Sequence, residues 1–311
     1  MITQPIFAAT AAGIVAFLAL CSLIGLVLSW RVKTPAARET VANLNARIKS
    51  WWGIVAVFGA ALVFGRIVTL VLFAILSFLA LREFVSLTPT RRGDHRSLFL
   101  AFFVVVPLQY WLIGIDWYGL VAIFIPVYVF LLLPALSAVS GDTNDFLARN
   151  AKLQWGLMLT VYAISHAPAL YLLDTGVPPA HLLIYLLIVV QLSDVFQYIF
   201  GKLFGRHRFS PNISPSKTLE GLIGGGLSAV AVGIALHGLT PFTPLQAAAV
   251  SAAIVIAGFF GGFVLSAVKR DLHAKDWGTL IEGHGGILDR LDSITFSAPI
   301  FFHIVRYWWT A

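Results

Sequence analysis

Nine charged residues, two histidines and four glycines crowd the 27 positions from Ser266 to Asp292, SAVKRDLHAKDWGTLIEGHGGILDRLD, in a chain of 311 residues that holds only 21 Lys and Arg and 14 Asp and Glu. Asp289 and Asp292 stand three apart, which sets both carboxylates on one face of a helix that has begun there. Hard oxygen donors on adjacent turns suit Mg²⁺, which takes one or two carboxylates and fills its other positions with phosphate oxygens and water. Arg290 between them, with Lys269, Arg270 and Lys275, offers positive charge for a polyphosphate. Gly283, Gly285 and Gly286 let backbone approach a phosphate or nucleotide closely, and His284 can donate to a phosphate oxygen or help hold a metal ligand. An Asp-x-x-Asp pair alone says little, and so does a lone His. The density of the elements carries the reading.

A second polar segment, QLSDVFQYIFGKLFGRHRFSPNISPSKTLEGLIGGG, begins at Gln191. Asp194 lies in an otherwise apolar run with Gln191, Ser193 and Gln197 at helical spacing. An unpaired carboxylate is costly in hydrocarbon, so Asp194 faces protein interior or water, either for function or for helix packing against a base. Lys202, Arg206, His207 and Arg208 follow, then Ser214-Pro215-Ser216-Lys217-Thr218. A Ser before a Pro predicts a helix start with Ser214 as cap and Pro215 at the first helical position. Such a start turns free N–H groups toward an anion. Lys217 adds a charge and Thr218 a hydroxyl, so phosphate binding is expected; an ordinary basic loop accounts for Lys202 and Arg206 equally well. Zinc and Ser/His/Asp hydrolysis are not favoured, because no His-Glu-x-x-His, cysteine cluster or Gly-x-Ser-x-Gly occurs.

The elements that must position these residues are membrane helices. Hydrophobic residues make up 59% of the chain and charged ones 11%, far from the ordinary soluble balance of about 25% charged. Apolar runs close to the roughly 20 residues that cross a bilayer lie at Ile6 to Trp30, Leu98 to Ile115, Leu120 to Val139, Leu153 to Leu173, His181 to Phe200, Gly221 to Leu239 and Leu245 to Val268. Trp51 to Leu81, broken by Arg66, reads as a hairpin of two short spans, and Ile294 to Trp309 as a short last one. The fold class is an all-α polytopic membrane protein of ten spans, or nine. The stretches Arg31 to Ser50, Arg82 to Arg96, Gly141 to Lys152, Lys202 to Lys217 and Lys269 to Arg290 hold 19 of the 21 Lys and Arg; only Arg66 and Arg306 fall elsewhere. By the positive-inside rule those five loops are cytoplasmic and the N-terminus is outside. The net charge of +7 is thus a topology signal, aided by anionic headgroups, and does not indicate nucleic-acid binding. The first apolar run is too long for a signal peptide and lacks its basic start, so it reads as a retained span. The single Cys21 excludes an intramolecular disulfide and any multi-cysteine metal site. One membrane domain is expected, with residues 1–173 as scaffold and 174–311 as the catalytic region, whose loops span 201–220 and 269–292.

With these motifs the chain resembles the phosphatidate cytidylyltransferases, integral membrane enzymes that make CDP-diacylglycerol and pyrophosphate from CTP and phosphatidate. The resemblance rests on Ser266, Lys269, Arg270, Lys275, Asp276, Gly278, His284, Gly285, Gly286, Asp289, Arg290 and Asp292, in order. Upstream it rests on Asp194, Tyr198, Gly201, Gly205, Arg206, Ser214, Pro215, Lys217, Thr218, Glu220, Gly221, Gly224 and Gly225. It covers Leu192 to the C-terminus; the first half matches only as a multi-span region. It implies catalysis by Asp289, Asp292, Lys269, Arg270, Arg290 and His284. Substrate contacts are implied at Ser214, Lys217, Thr218, Arg206, Lys275, Ser266, Gly285 and Gly286. Mg²⁺, with room for a second cation, falls to Asp289 and Asp292, with Asp194 and Asp276 as further ligands. Implied partners are CTP, phosphatidate and the bilayer, with a homodimer allowed, in the cytoplasmic (inner) membrane. Three positions depart from the family pattern. Gly262 stands where a metal-binding Asp is usual after Gly261, Glu282 replaces a Pro, and Gln197 a small residue. Glu282 is the candidate for the missing negative charge. A CTP-dependent enzyme on another lipid, a catalytically impaired paralogue and an anionic-lipid transporter are the rival readings, the last disfavoured because the charges gather at one membrane face.

Overall fold

A computed structural model describes residues 5–32, 34–280 and 285–310. Among them ten helical segments follow one another: α1 (Pro5–Arg31), α2 (Pro35–Phe64), α3 (Arg66–Ser86), α4 (Arg92–Gly114), α5 (Tyr118–Val139), α6 (146–172), α7 (Pro179–Phe204), α8 (Leu219–Ala235), α9 (Pro244–Asp271) and α10 (Leu288–Trp309). Seven of these, α1 to α5, α7 and α9, are long and apolar enough to cross a membrane. The protein is an all-α polytopic membrane protein. A two-stranded antiparallel ribbon, β1 (Arg208–Ser210) and β2 (Ser214–Thr218), stands between α7 and α8.

The expected hairpin turns at Gly65, whose φ of 90° lies in the left-handed region that glycine enters at no steric cost. α2 starts earlier than the apolar pattern indicates. Its first half, PAARETVANLNARIKS, has Pro at the first turn followed by good helix formers, so most of the basic stretch between the first two spans is helix. At 1.5 Å per residue its 30 residues reach about 45 Å against a hydrocarbon core of roughly 30 Å, and the polar half projects beyond it.

Packing is tightest in the second half, α7 against α8, α8 against α9 and α9 against α10. The glycine run of α8 makes this possible: a Cβ at Gly225 would meet the backbone of Gln197 and Phe196 in α7. Small residues that let backbones close together are the membrane route to helix association, supplemented by hydrogen bonds between helices. Tyr185 in α7 meets Ser251 of α9 at 2.6 Å, Ser77 in α3 meets Tyr110 of α4 at 2.6 Å, and Gln109 in α4 donates to Ser165 of α6 at 3.1 Å. The C-terminal ends of α3, α7 and α9, the ribbon and the N-terminal end of α10 meet at one end of the bundle.

Candidate active site

Two linked clusters occupy that end. In the first, Asp194 of α7 and Asp292 of α10 share the residue Ser293. The Ser293 hydroxyl donates to Asp194 Oδ2 at 2.8 Å, and its backbone N–H donates to Asp292 Oδ1 at 2.8 Å. Lys217, at the end of β2, donates its ammonium to the Phe259 carbonyl of α9 at 3.1 Å and lies 4.7 Å from the Phe259 ring centroid. Burial pushes this ammonium below the ordinary lysine range, while the charges of Asp292 and Asp194 hold it up. Gly262 forms the wall beside it. A Cβ there would lie 2.9 Å from Lys217 Nζ and 3.4 Å from Asp292 Oδ2, so the position that departs from the family pattern borders this cluster directly. Arg290 acts electrostatically on both carboxylates.

The second cluster is built on Asp289. Lys269, in the last turn of α9, donates to Asp289 Oδ1 at 2.7 Å, both side chains being buried. Asp289 Oδ2 accepts the backbone N–H groups of Trp277 at 2.8 Å and Gly286 at 2.9 Å. Gly285 makes the turn before α10 with φ of 80°, and a Cβ on it would press to 2.8 Å from Asp289 Oδ2. Asp289 thus has both oxygens committed to holding the loop, whereas the described contacts engage one oxygen each of Asp194 and Asp292. The helix does begin at Leu288 and puts Asp289 and Asp292 on adjacent turns, yet their carboxylates serve different clusters.

The predicted helix start at Ser214 is corrected. Residues 214–218 are extended and pair with β1, Arg208 opposite Thr218 and Ser210 opposite Ser214; the fixed φ of Pro215 fits a ribbon strand as readily as a first helical turn. Thr218 is the cap instead, its hydroxyl accepting the Gly221 N–H at 3.1 Å. The helix N-terminus therefore exists, four residues later than predicted, and the Thr218 side chain is spent on capping it. Glu220, in the first turn, accepts the backbone N–H groups of Arg206 and His207 at 3.0 and 3.2 Å and tethers the ribbon.

Of the other predicted residues, Arg270 reaches the ribbon through the Ile213 carbonyl at 3.3 Å and also donates to the Ala274 carbonyl at 3.1 Å. Ser266 donates to the Gly262 carbonyl within its own helix at 2.7 Å. The side chains of Lys275 and Asp276 are exposed on the loop, with the Asp276 Cβ 3.6 Å from where a Gly285 Cβ would stand. Glu282 and His284 lie outside the described residues. Sequence reasoning missed Ser293, Trp277 and Glu83. Trp277 is buried and stacked on Phe84 of α3. Glu83 accepts the N–H groups of Ile287 and Leu288, both at 2.9 Å. The available signal was an acidic residue at the end of an apolar span, masked by its neighbour Arg82, which makes it look like half of a surface ion pair.

The donor set fits a magnesium ion. Among the described residues no group of three or more His, Cys, Asp and Glu gathers around one point. Asp194 and Asp292, each with one oxygen engaged by Ser293, offer the one or two carboxylates that Mg²⁺ uses when phosphates and water complete its shell.

Residues 45–308 match the cytidylyltransferase family. The chain is 40% identical over 295 residues to the uncharacterized protein YnbB of Escherichia coli (strain K12), covering 94% of this chain and 96% of that one. It is 30% identical over 235 residues to a phosphatidate cytidylyltransferase of Staphylococcus haemolyticus (strain JCSC1435), covering 75% and 88%. With a phosphatidate cytidylyltransferase of Staphylococcus saprophyticus the identity is 37% over 133 residues, 42% of this chain and 51% of the other. A family match that spans residues 45–308 makes this protein a member of the cytidylyltransferase family.

Proposed function

We propose that this membrane cytidylyltransferase moves CMP from CTP to phosphatidate, releasing CDP-diacylglycerol and pyrophosphate. The observation that carries the reading is the Asp194, Lys217 and Asp292 cluster at one end of a membrane bundle, where a charged nucleotide can meet a lipid whose tails stay between helices. The relatives that bear the name phosphatidate cytidylyltransferase support the choice of lipid. The distribution of basic residues supports a cytoplasmic site in the inner membrane with the N-terminus outside.

A phosphate oxygen of phosphatidate forms a bond to the α-phosphorus of CTP. The bond from that phosphorus to the bridging oxygen breaks, and pyrophosphate leaves with the electron pair. The nucleophile is already anionic near neutral pH, so no side chain has to take a proton. Catalysis is positioning and charge neutralisation. Asp194 and Asp292 would hold Mg²⁺, which supplies positive charge to the polyphosphate. Lys217 and Arg290 provide fixed positive charge beside the carboxylates. Asp289 and Lys269 keep the 285–289 turn in shape, and Arg270 ties the ribbon to α9.

The test is turnover by the detergent-solubilised protein with CTP and Mg²⁺ against phosphatidate, a polyprenyl phosphate and an ether-lipid phosphate. Phosphatidate should give CDP-diacylglycerol as the dominant product. Preferential turnover of either other lipid would move the acceptor assignment, and no turnover with any would favour the impaired-paralogue reading.

A further inference from the structure

Glu83 lies in the last turn of α3, in the half of the molecule that the motifs leave as scaffold. Its carboxylate is buried, 9% exposed, and among the described residues no cation stands within ion-pair distance of it. Its two oxygens instead take one backbone donor each, Oε1 from Ile287 and Oε2 from Leu288, both at 2.9 Å and more than 200 positions away in sequence. These N–H groups open α10, and the first N–H groups of a helix have no partner inside it. A carboxylate there satisfies two of them and faces the positive end of the helix dipole. Two glycines leave room for it: a Cβ at Gly278 would stand 2.7 Å from Glu83 Oε1, and one at Gly286 would collide with the same carboxylate. The next residue, Phe84, stacks on Trp277 with ring centroids 5.3 Å apart, and the Trp277 N–H is one of the two backbone donors to Asp289. Adjacent residues of α3 thus grip both strands of the turn that carries Asp289.

We infer that Glu83 is a positioning residue for CMP transfer: it latches the start of α10 to α3 and so fixes Asp289 and Asp292 relative to the substrate. It touches the backbone frame only, so its loss is felt in the reacting geometry rather than in nucleotide affinity. This inference rests on the proposed function for its kinetic consequence and on geometry alone for the latch.

Glu83→Gln keeps the side chain's shape but turns one acceptor toward an N–H as a donor. We expect kcat to fall about tenfold with KM for CTP within about twofold, the pattern of an interaction that matters in the transition state. The unfolding temperature should drop by only about 3 °C, the scale of one lost cap. Glu83→Asp, which keeps the charge one methylene short, should recover part of kcat. Hydrogen–deuterium exchange in the absence of nucleotide should show the Ile287 and Leu288 amides protected in the unaltered protein and faster by about tenfold in Glu83→Gln. An unchanged kcat in a folded Glu83→Gln protein would overturn the inference, as would a rise in KM that accounts for the whole loss. If the variant does not fold, rapid exchange at those two amides in the unaltered protein overturns it and slow exchange upholds the latch. Failure of the unaltered protein to transfer CMP to any lipid would sink the function, while the exchange result would still judge the latch.

Discussion

Lys217 and Lys269 lie at the two ends of the same charged region, and their surroundings assign them different work. Lys269 is paired at 2.7 Å with a buried Asp289 that two backbone amides also hold. Removing its charge leaves a buried carboxylate unpaired, which typically costs about 3–5 kcal/mol. Lys217 has a carbonyl and an aromatic face as its contacts and two carboxylates in its field. Lys217→Met should therefore lower kcat by roughly 10²-fold, the scale of one lost charge-stabilising donor, with little change in unfolding temperature. Lys269→Met should lower the unfolding temperature markedly. Parallel thermal and kinetic measurements separate the two, and a large stability loss in Lys217→Met would refute the division. The spacing of Asp289 and Asp292 was legible from sequence because helical periodicity is local. Their separate duties were not, because backbone amides of Trp277 and Gly286 and the carboxylate of Glu83 decide them, and no side-chain pattern announces a backbone donor.

At the scale of elements, α7 and α8 are held at backbone contact by glycine, and the ribbon between them carries Lys217 to its place. Gly225→Ala would drive a methyl group into the backbone at Gln197, a position that cannot yield as a side-chain tip does. Overpacking of this kind costs about 1–3 kcal/mol. We expect a lower unfolding temperature together with lost activity, because Asp194 lies one turn from the contact; an unaltered unfolding temperature would contradict the close packing. The helical segments and the Gly65 turn could be read from apolar run length and one interrupting arginine, but of the ten spans expected, seven described helices are long and apolar enough to cross a membrane. The ribbon could not: Ser-Pro is compatible with both a helix start and a strand, and only pairing with 208–210 selects the strand. The early start of α2 escaped for a related reason, since hydropathy marks where the bilayer lies and says nothing of a polar helix continuing past it.

Across the whole molecule, the two basic residues outside the five basic loops act as fasteners at the end opposite the site. Arg66 bridges to Asp116 and donates to the Ile113 carbonyl at 2.7 Å, and Arg306 lies 3.6 Å from the Tyr118 ring centroid. They tie α3 and α10 to the turn between α4 and α5. At the site end a buried Arg149 pairs with Asp94 at 2.9 Å and Asp142 at 3.3 Å, so the scaffold half is pinned by ion pairs at both ends. The result is a frame in which α3 and α9 hold the start of α10 while the ribbon packs on α7, α8 and α9. The most direct test of the account is the fate of the CTP phosphates. With phosphatidate and Mg²⁺, label in the α-phosphate should enter the lipid while label in the γ-phosphate is released as pyrophosphate, and Asp292→Asn should cut the transfer by at least about 10²-fold. Label from the γ-phosphate in the lipid, or equal transfer by Asp292→Asn, would contradict it.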